Sequence, residues 1–209
     1  QIKEDEMKKV LLIIALPACL VMGQDQPELP GWGVYVGYAM MGASGDSLDV
    51  DGAENETVNA PGFGISKGVW LGSIPLQVGV GLHPRGYKLE VDADGAHMHT
   101  EINAQYLDLW AQMPYPVGPA FLSAGFNLGT HVGGTSKMEL EVGGYELSDE
   151  VDLEAGDFGL DFGLNFGLGM PIGDTGAQVG VLYVMSLTEP MEDAGFKWNG
   201  LFFNAGYSF

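Results

Sequence analysis

Three sets of residues have types and spacings that could do chemistry. His97, His99 and Glu101 are two apart, so on an extended strand they share one face. A histidine beside a carboxylate is half of a hydrolytic apparatus; the other half is an activated nucleophile. No serine lies near this trio in sequence, and His131 is followed by Val132-Gly133 rather than by a serine on its own face. The trio therefore reads as the solvated surface of a hairpin. Asp49-Val50-Asp51-Gly52 and Asp92-Ala93-Asp94-Gly95 both open as a calcium loop does, making Asp49, Asp51, Asp92 and Asp94 weak metal candidates. Neither continues to the spaced ligands and closing glutamate of an EF-hand, and Asp-Gly is equally the chemistry of a tight hairpin turn. The third set, Arg85, Asp108 and Asp161, is scattered along the chain and matters only if the fold gathers it.

The elements that would position these residues alternate with period two. From Phe158 to Met170 the chain reads FGLDFGLNFGLGM, with Phe158, Leu160, Phe162, Leu164, Phe166, Leu168 and Met170 on one face and mostly glycine on the other. A helix would spread those glycines around its circumference at a cost of about 1 kcal/mol each, so the segment reads as a strand. The texture recurs in eight segments, near 31–42, 62–72, 75–91, 97–113, 119–142, 145–171, 176–188 and 197–209. The second is the weakest, because Lys67 falls on the Ile65/Val69 face and calls for a bulge or a position near an interface. Short connections (72–75, 114–118, 171–175) alternate with mostly longer, acidic ones (43–61, around 92–96, 134–155, 188–196), and Gly143-Gly144 turns a projecting hairpin.

Short turns on one side and long loops on the other are the layout of a transmembrane barrel with both termini on the periplasmic side. A secreted β-sandwich also alternates, but glycine is a poor solvent-facing strand surface and a good filler for a crowded lumen. The expected fold is therefore all-β: an eight-stranded antiparallel up-and-down transmembrane β-barrel. By parity its lumen collects His83, Arg85, Tyr106, Asp108, His131, Asp157, Asp161 and Asn165. A lone buried arginine is costly, so Arg85 is expected to pair with Asp108 or Asp161; the alternative leaves it solvated above the membrane. Trp32, Trp70, Trp110, Tyr115, Trp198 and Tyr207 are girdle candidates, with the lumen as the alternative place for some of them.

Of 209 residues 28 are acidic and 8 basic, a net charge of −20 that argues against nucleic-acid binding. The single Cys19 excludes an intramolecular disulfide framework and any multi-cysteine zinc site. Lys8 and Lys9 precede an apolar run from Val10 to Leu16, then Pro17, small residues and Gln24, the layout of a signal peptide at 7–23. Residues 1–6 read as an upstream extension and 24–209 as the barrel domain. The apolar stretch falls short of the ~20 residues a membrane helix needs. Leu16-Pro17-Ala18-Cys19 leaves open a lipidated Cys19.

The Phe196–Phe209 ending, with alternating aromatics and terminal Tyr207-Ser208-Phe209, resembles the C-terminal signature of bacterial outer-membrane barrels. Tyr106-Leu107-Asp108-Leu109-Trp110, then Pro114 and Phe121–Gly125, is similar to the central part of the outer-membrane β-barrel domain family, which includes small porin-family and PorT-like barrels. The resemblance implies the outer membrane of a Gram-negative-type bacterium, contact with lipid and lipopolysaccharide, and reading of Tyr207 and Phe209 by the barrel-assembly machinery. Small OmpA/OmpX-type barrels are similar in having a charged, hydrogen-bonded plug. No catalytic motif and no cofactor come with the family. The expected role is non-enzymatic: structural or surface-interacting, through acidic loops at Asp46–Glu56 and Glu139–Asp157 that recruit divalent cations bridging to lipopolysaccharide phosphates. Alternatives are a transport or secretion accessory barrel and a lipid A-modifying enzyme.

Overall fold

The computed structural model describes residues 31–49, 52–93 and 96–209. The expected leader at 7–23, the extension at 1–6, Cys19, Asp51 and Asp94 lie outside the described residues. Ten strands follow in chain order: β1 (Trp32–Ser44), β2 (Ala53–Glu56), β3 (Val58–Leu71), β4 (Ile74–Ala93), β5 (Ala96–Val117), β6 (Ala120–Val142), β7 (Tyr145–Leu153), β8 (Asp161–Pro171), β9 (Ala177–Ser186) and β10 (Lys197–Ser208). Eight of them form a closed antiparallel ring, β1-β3-β4-β5-β6-β8-β9-β10, which returns to β1. The fold is an eight-stranded up-and-down barrel. β2 adds to β4 and β7 to β6, both outside the ring.

The residue pattern explains the closure. On β1, Gly33, Tyr35, Gly37, Ala39 and Met41 face the lumen, while Trp32, Val34, Val36, Tyr38 and Met40 face out and are 40–64% exposed. The same apolar exterior continues through Phe63, Ile65, Leu109, Leu122 and Phe203. Inside, side chains must fit a narrow bore. A Cβ on Gly64 or Gly81 would overlap the Tyr35 hydroxyl, and one on Gly79 the Trp110 indole, so these glycines make room for the two rings.

Both described chain ends and the short turns at 72–73, 118–119 and 172–176 lie at one end of the barrel, the near end, where the Phe209 N–H donates to the Trp32 carbonyl at 2.8 Å. β1, β8, β9 and β10 run 10 to 13 residues, enough to cross a bilayer at a tilt. β4, β5 and β6 run 20 to 23. Their roughly ten extra residues, at about 3.3 Å each, carry the sheet roughly 30 Å beyond the far rim. With β2 and β7 these extensions make a five-stranded projecting sheet, ordered β2-β4-β5-β6-β7.

Three readings of the sequence need correction. Residues 145–171 are not one strand: β7 and β8 are separated by 154–160, where Gly156 has φ 93° and the Asp157 N–H bonds back to the Glu154 carbonyl. Phe158 therefore leaves the outward row and is buried against Ala104 and Tyr106. Asp157, expected in the lumen, is exposed in that turn and accepts the Glu154 N–H at 2.7 Å. Of the girdle candidates, Trp110 and Trp198 take the lumen alternative: both face inward, the latter 1% exposed. Finally, β3 begins at Val58, because part of the stretch read as a long loop at 43–61 is β2 and the start of β3. Lys67 needs no bulge: it stays on the outer face near the end of the barrel, with Nζ 4.8 Å from the Trp32 ring centre.

The division of 145–171 predicts its hydrogen exchange. β8 lies between β6 and β9, so its amides exchange slowly. On β7 every second amide faces no strand and exchanges fast. Uniform protection from 145 to 171 would contradict the two-strand arrangement.

Candidate functional site

Two features stand out from the barrel wall: a charged layer across the lumen and the projecting sheet. The lumen layer is built on β4, β5 and β8, whose inward positions at one level are His83 and Arg85, Asp108, and Asp161. Arg85 is 1% exposed, as are Asp108 and Asp161. Arg85 Nε donates to Asp161 Oδ2 at 3.0 Å, Nη2 reaches Asp108 Oδ2 at 3.1 Å and Asp161 Oδ2 at 2.9 Å, and Nη1 donates to the Pro84 carbonyl at 3.1 Å. The structure thus brings Arg85 to both carboxylates at once, where the sequence reading expects one.

A hydrogen-bond chain extends the layer. Trp110 Nε1 donates to the Tyr35 hydroxyl oxygen at 3.0 Å, the Tyr35 hydroxyl lies 3.0 Å from His83 Nε2, and His83 Nδ1 lies 2.7 Å from Asp108 Oδ2. An ionised Asp108 only accepts, so the proton between it and His83 sits on Nδ1, and Nε2 meets the Tyr35 hydroxyl. Sequence reasoning misses Tyr35 and the part Trp110 plays here. The available signal is parity: Tyr35 sits between Gly33 and Gly37 on the small-residue face.

Toward the far rim, Tyr87, Tyr106, His131, Phe158, Phe196 and Trp198 stack into an aromatic layer, with ring centres 5.1 to 6.0 Å apart along the chain of contacts. Toward the near end a cavity of about 90 Å³ remains, bordered by Ser66, Gln77, Gln112, Ser123 and Asn204. The charged and aromatic layers lie in the bore beyond this cavity. Asn165, also inward, is buried beside it.

On the projecting sheet the cross-strand register sorts the side chains into two faces. One row reads Asp92, His97, Glu141, Glu146; the next Glu54, Glu90, His99, Glu139, Ser148; the next Glu56, Lys88, Glu101, Lys137, Glu150. This face continues the outer wall of the barrel. The opposite face continues the lumen wall and carries Leu89, Val91, Met98, Leu140, Leu147 and Val151. β6 holds this assignment through a bulge: Tyr106 pairs with His131 and Gln105 with Gly133, so Val132 is the extra residue and Gly133 takes φ 146°.

The trio considered for hydrolysis lies on the acidic face. His97 Nδ1 bonds Asp92 Oδ1 at 2.8 Å, His99 Nδ1 bonds Glu90 Oε1 at 3.1 Å, and Glu101 is 3.9 Å from His99 Nε2. Asp92 raises the pKa of His97, and Lys137, 2.6 Å from Glu139, lowers that of Glu139. Ser148, the serine of the His99 row, stands beyond Glu139, two strands away. His131 Nδ1 accepts the Phe158 N–H at 3.4 Å within the aromatic layer. Of the metal candidates, Asp92 is engaged with His97 and Asp49 is exposed after a 3-10 turn at Asp46–Leu48. Among the described residues no three His, Cys, Asp or Glu side chains come together as a metal site. Tyr207 and Phe209 lie exposed at the near end, with ring centres 6.5 Å apart.

No family model and no curated protein matches the chain. Solved structures similar to it include the Neisserial surface protein A, at 12% identity and TM-score 0.48, covering 88% of this chain and 100% of that one. The outer membrane protein OprG from Pseudomonas aeruginosa has 12% identity and TM-score 0.35, over 89% of this chain and 99% of that one. The translocator domain of the autotransporter NalP from Neisseria meningitidis has 11% identity and TM-score 0.31, over 99% and 98%. At these scores the barrel rests on its own strand pairings.

The charge layer makes a quantitative prediction. Arg85→Met leaves Asp108 and Asp161 buried without their counter-charge and costs about 3–5 kcal/mol in urea unfolding of the refolded barrel. Adding Asp108→Asn and Asp161→Asn to the same chain recovers most of that loss. An Arg85→Met barrel as stable as the parent would contradict the pairing.

Proposed function

We propose that this chain is a small outer-membrane barrel, plugged in its lumen and non-enzymatic, that presents an acidic sheet at the cell surface for interaction with other molecules. The observation that carries the reading is a reversal of polarity along continuous strands. On β4 the outward side chains pass from Val78, Val80 and Leu82 to Lys88, Glu90 and Asp92; on β5 they pass from Leu109 and Leu107 to Glu101, His99 and His97. On β6, with the bulge taken into account, Leu122, Phe126 and Leu128 give way to Lys137, Glu139 and Glu141. Strand geometry is unchanged across the switch, so the surroundings must change: apolar side chains suit hydrocarbon and charged ones suit water.

In this reading the near end, with its short turns and both described chain ends, faces the periplasm, and the projecting sheet faces outward. Tyr207 and Phe209 then stand where the assembly machinery would read them. The charged and aromatic layers favour a closed bore over a pore, and the histidines of the outer face are already committed to Glu90 and Asp92. Excess carboxylates on that face favour divalent cations shared with lipopolysaccharide phosphates.

The membrane border is tested by two arginines. Val36 lies outward in the middle of β1 and Val151 on the projecting sheet, and both are more than half exposed. In lipid bilayers Val36→Arg costs about 2–4 kcal/mol, whereas Val151→Arg stays within about 0.5 kcal/mol. Equal costs at the two sites would contradict the border.

A further inference from the structure

The projecting sheet has two edges, and they are not alike. β2 has four residues, and its Asn55 side chain donates to the Ala43 carbonyl at 2.7 Å, tying that edge to β1. β7 has nine residues, pairs with β6 alone, and is exposed from Tyr145 to Asp152. Its free side presents backbone N–H and C=O groups at every second residue over roughly 30 Å. Proteins commonly blunt such an edge with charged side chains, lysine above all, with proline or with a bulge; β7 has no lysine, proline or bulge.

What β7 carries instead is acid. Glu146, Glu150 and Asp152 line one face and Asp149 the other, with no base on the strand. Tyr145, Leu147 and Val151 share the Asp149 face and are 81%, 68% and 54% exposed. A second copy is a poor partner, because pairing β7 with β7 would crowd carboxylates into one two-stranded ribbon. A strand of opposite charge meets no such barrier.

Resting on the reading of this sheet as the surface-exposed working face, we infer that β7 captures an extended cationic segment of another polypeptide by strand addition. The segment alternates basic and apolar residues. Its backbone completes the ladder that β7 leaves open, its lysines or arginines meet Glu146, Glu150 and Asp152, and its apolar side chains cover Tyr145, Leu147 and Val151. Backbone pairing supplies affinity, and the two-faced alternation supplies selectivity.

The test uses the protein in phosphatidylcholine nanodiscs, a zwitterionic surface that does not itself attract cationic peptides. The probe is a fluorescent nine-residue peptide of alternating lysine and valine. Its controls are the same composition in block order and the alternating peptide N-methylated at every second amide. The alternating peptide binds at least tenfold more tightly than either control, and Glu146→Lys with Glu150→Lys abolishes the difference. Equal binding of alternating and block peptides would reduce the effect to general charge attraction and overturn strand addition. No binding by a correctly folded barrel would also overturn it, as would disulfide cross-linking between two copies of an Asp149→Cys variant. Maleimide labelling of Asp149→Cys on intact cells separates the two claims. Labelling without peptide capture rejects strand addition and leaves surface presentation standing; absence of labelling removes the surface reading on which the proposal rests.

Discussion

Gly33 to Ser44 of β1 pair residue by residue with Ser208 to Lys197 of β10, and that seam is the constraint on which the molecule depends. Without it the ring would be an open sheet with two long edges and an apolar outer face exposed to whatever surrounds it. With it, every wall strand finds a partner on both sides, which is the condition for placing backbone where no water can satisfy it. Closure also fixes the bore, and the bore dictates the interior. Eight strands leave space only for filled side-chain layers, so large inward residues such as Tyr35, Trp110 and Trp198 coexist with glycines directly opposite or beside them.

Closure also explains how three charges can be buried in a small protein. Arg85, Asp108 and Asp161 come from strands far apart in sequence and are brought to one level by register. The guanidinium fork then contacts both carboxylates, while the Trp110–Tyr35–His83 chain engages a remaining lone pair of Asp108. A buried group of this kind contributes less through net stability than through specificity, since a register slip would leave charges unpaired. The buried charges therefore favour one strand order over its slipped alternatives.

Much of this architecture is legible in the sequence because the strand period is short and most strand glycines fall on the inward parity. Eight segments, the turn asymmetry and the inward set His83, Arg85, Tyr106, Asp108, His131, Asp161 and Asn165 can be read directly. The errors have local causes. Phe158 and Leu160 keep the alternation of β8 but lie outside it, because Gly156 and the Glu154–Asp157 turn end β7 first. Trp110 and Trp198 have a composition suited to a girdle, but they share the parity of Asp108 and Phe202, which places them inward. The two-faced projecting sheet is visible in its letters but not in its register, because the extra residue Val132 shifts the parity of β6 partway along the strand.

A closed barrel embedded in the outer membrane is distinguished from any soluble fold by gel migration of the protein taken from an outer-membrane fraction, with and without boiling. The unboiled protein runs at a different apparent size from the boiled one, because the closed ring resists detergent until heated. A protein recovered in the soluble periplasmic fraction, with migration indifferent to heat, would contradict the barrel and make the outward apolar face the interior of some other fold.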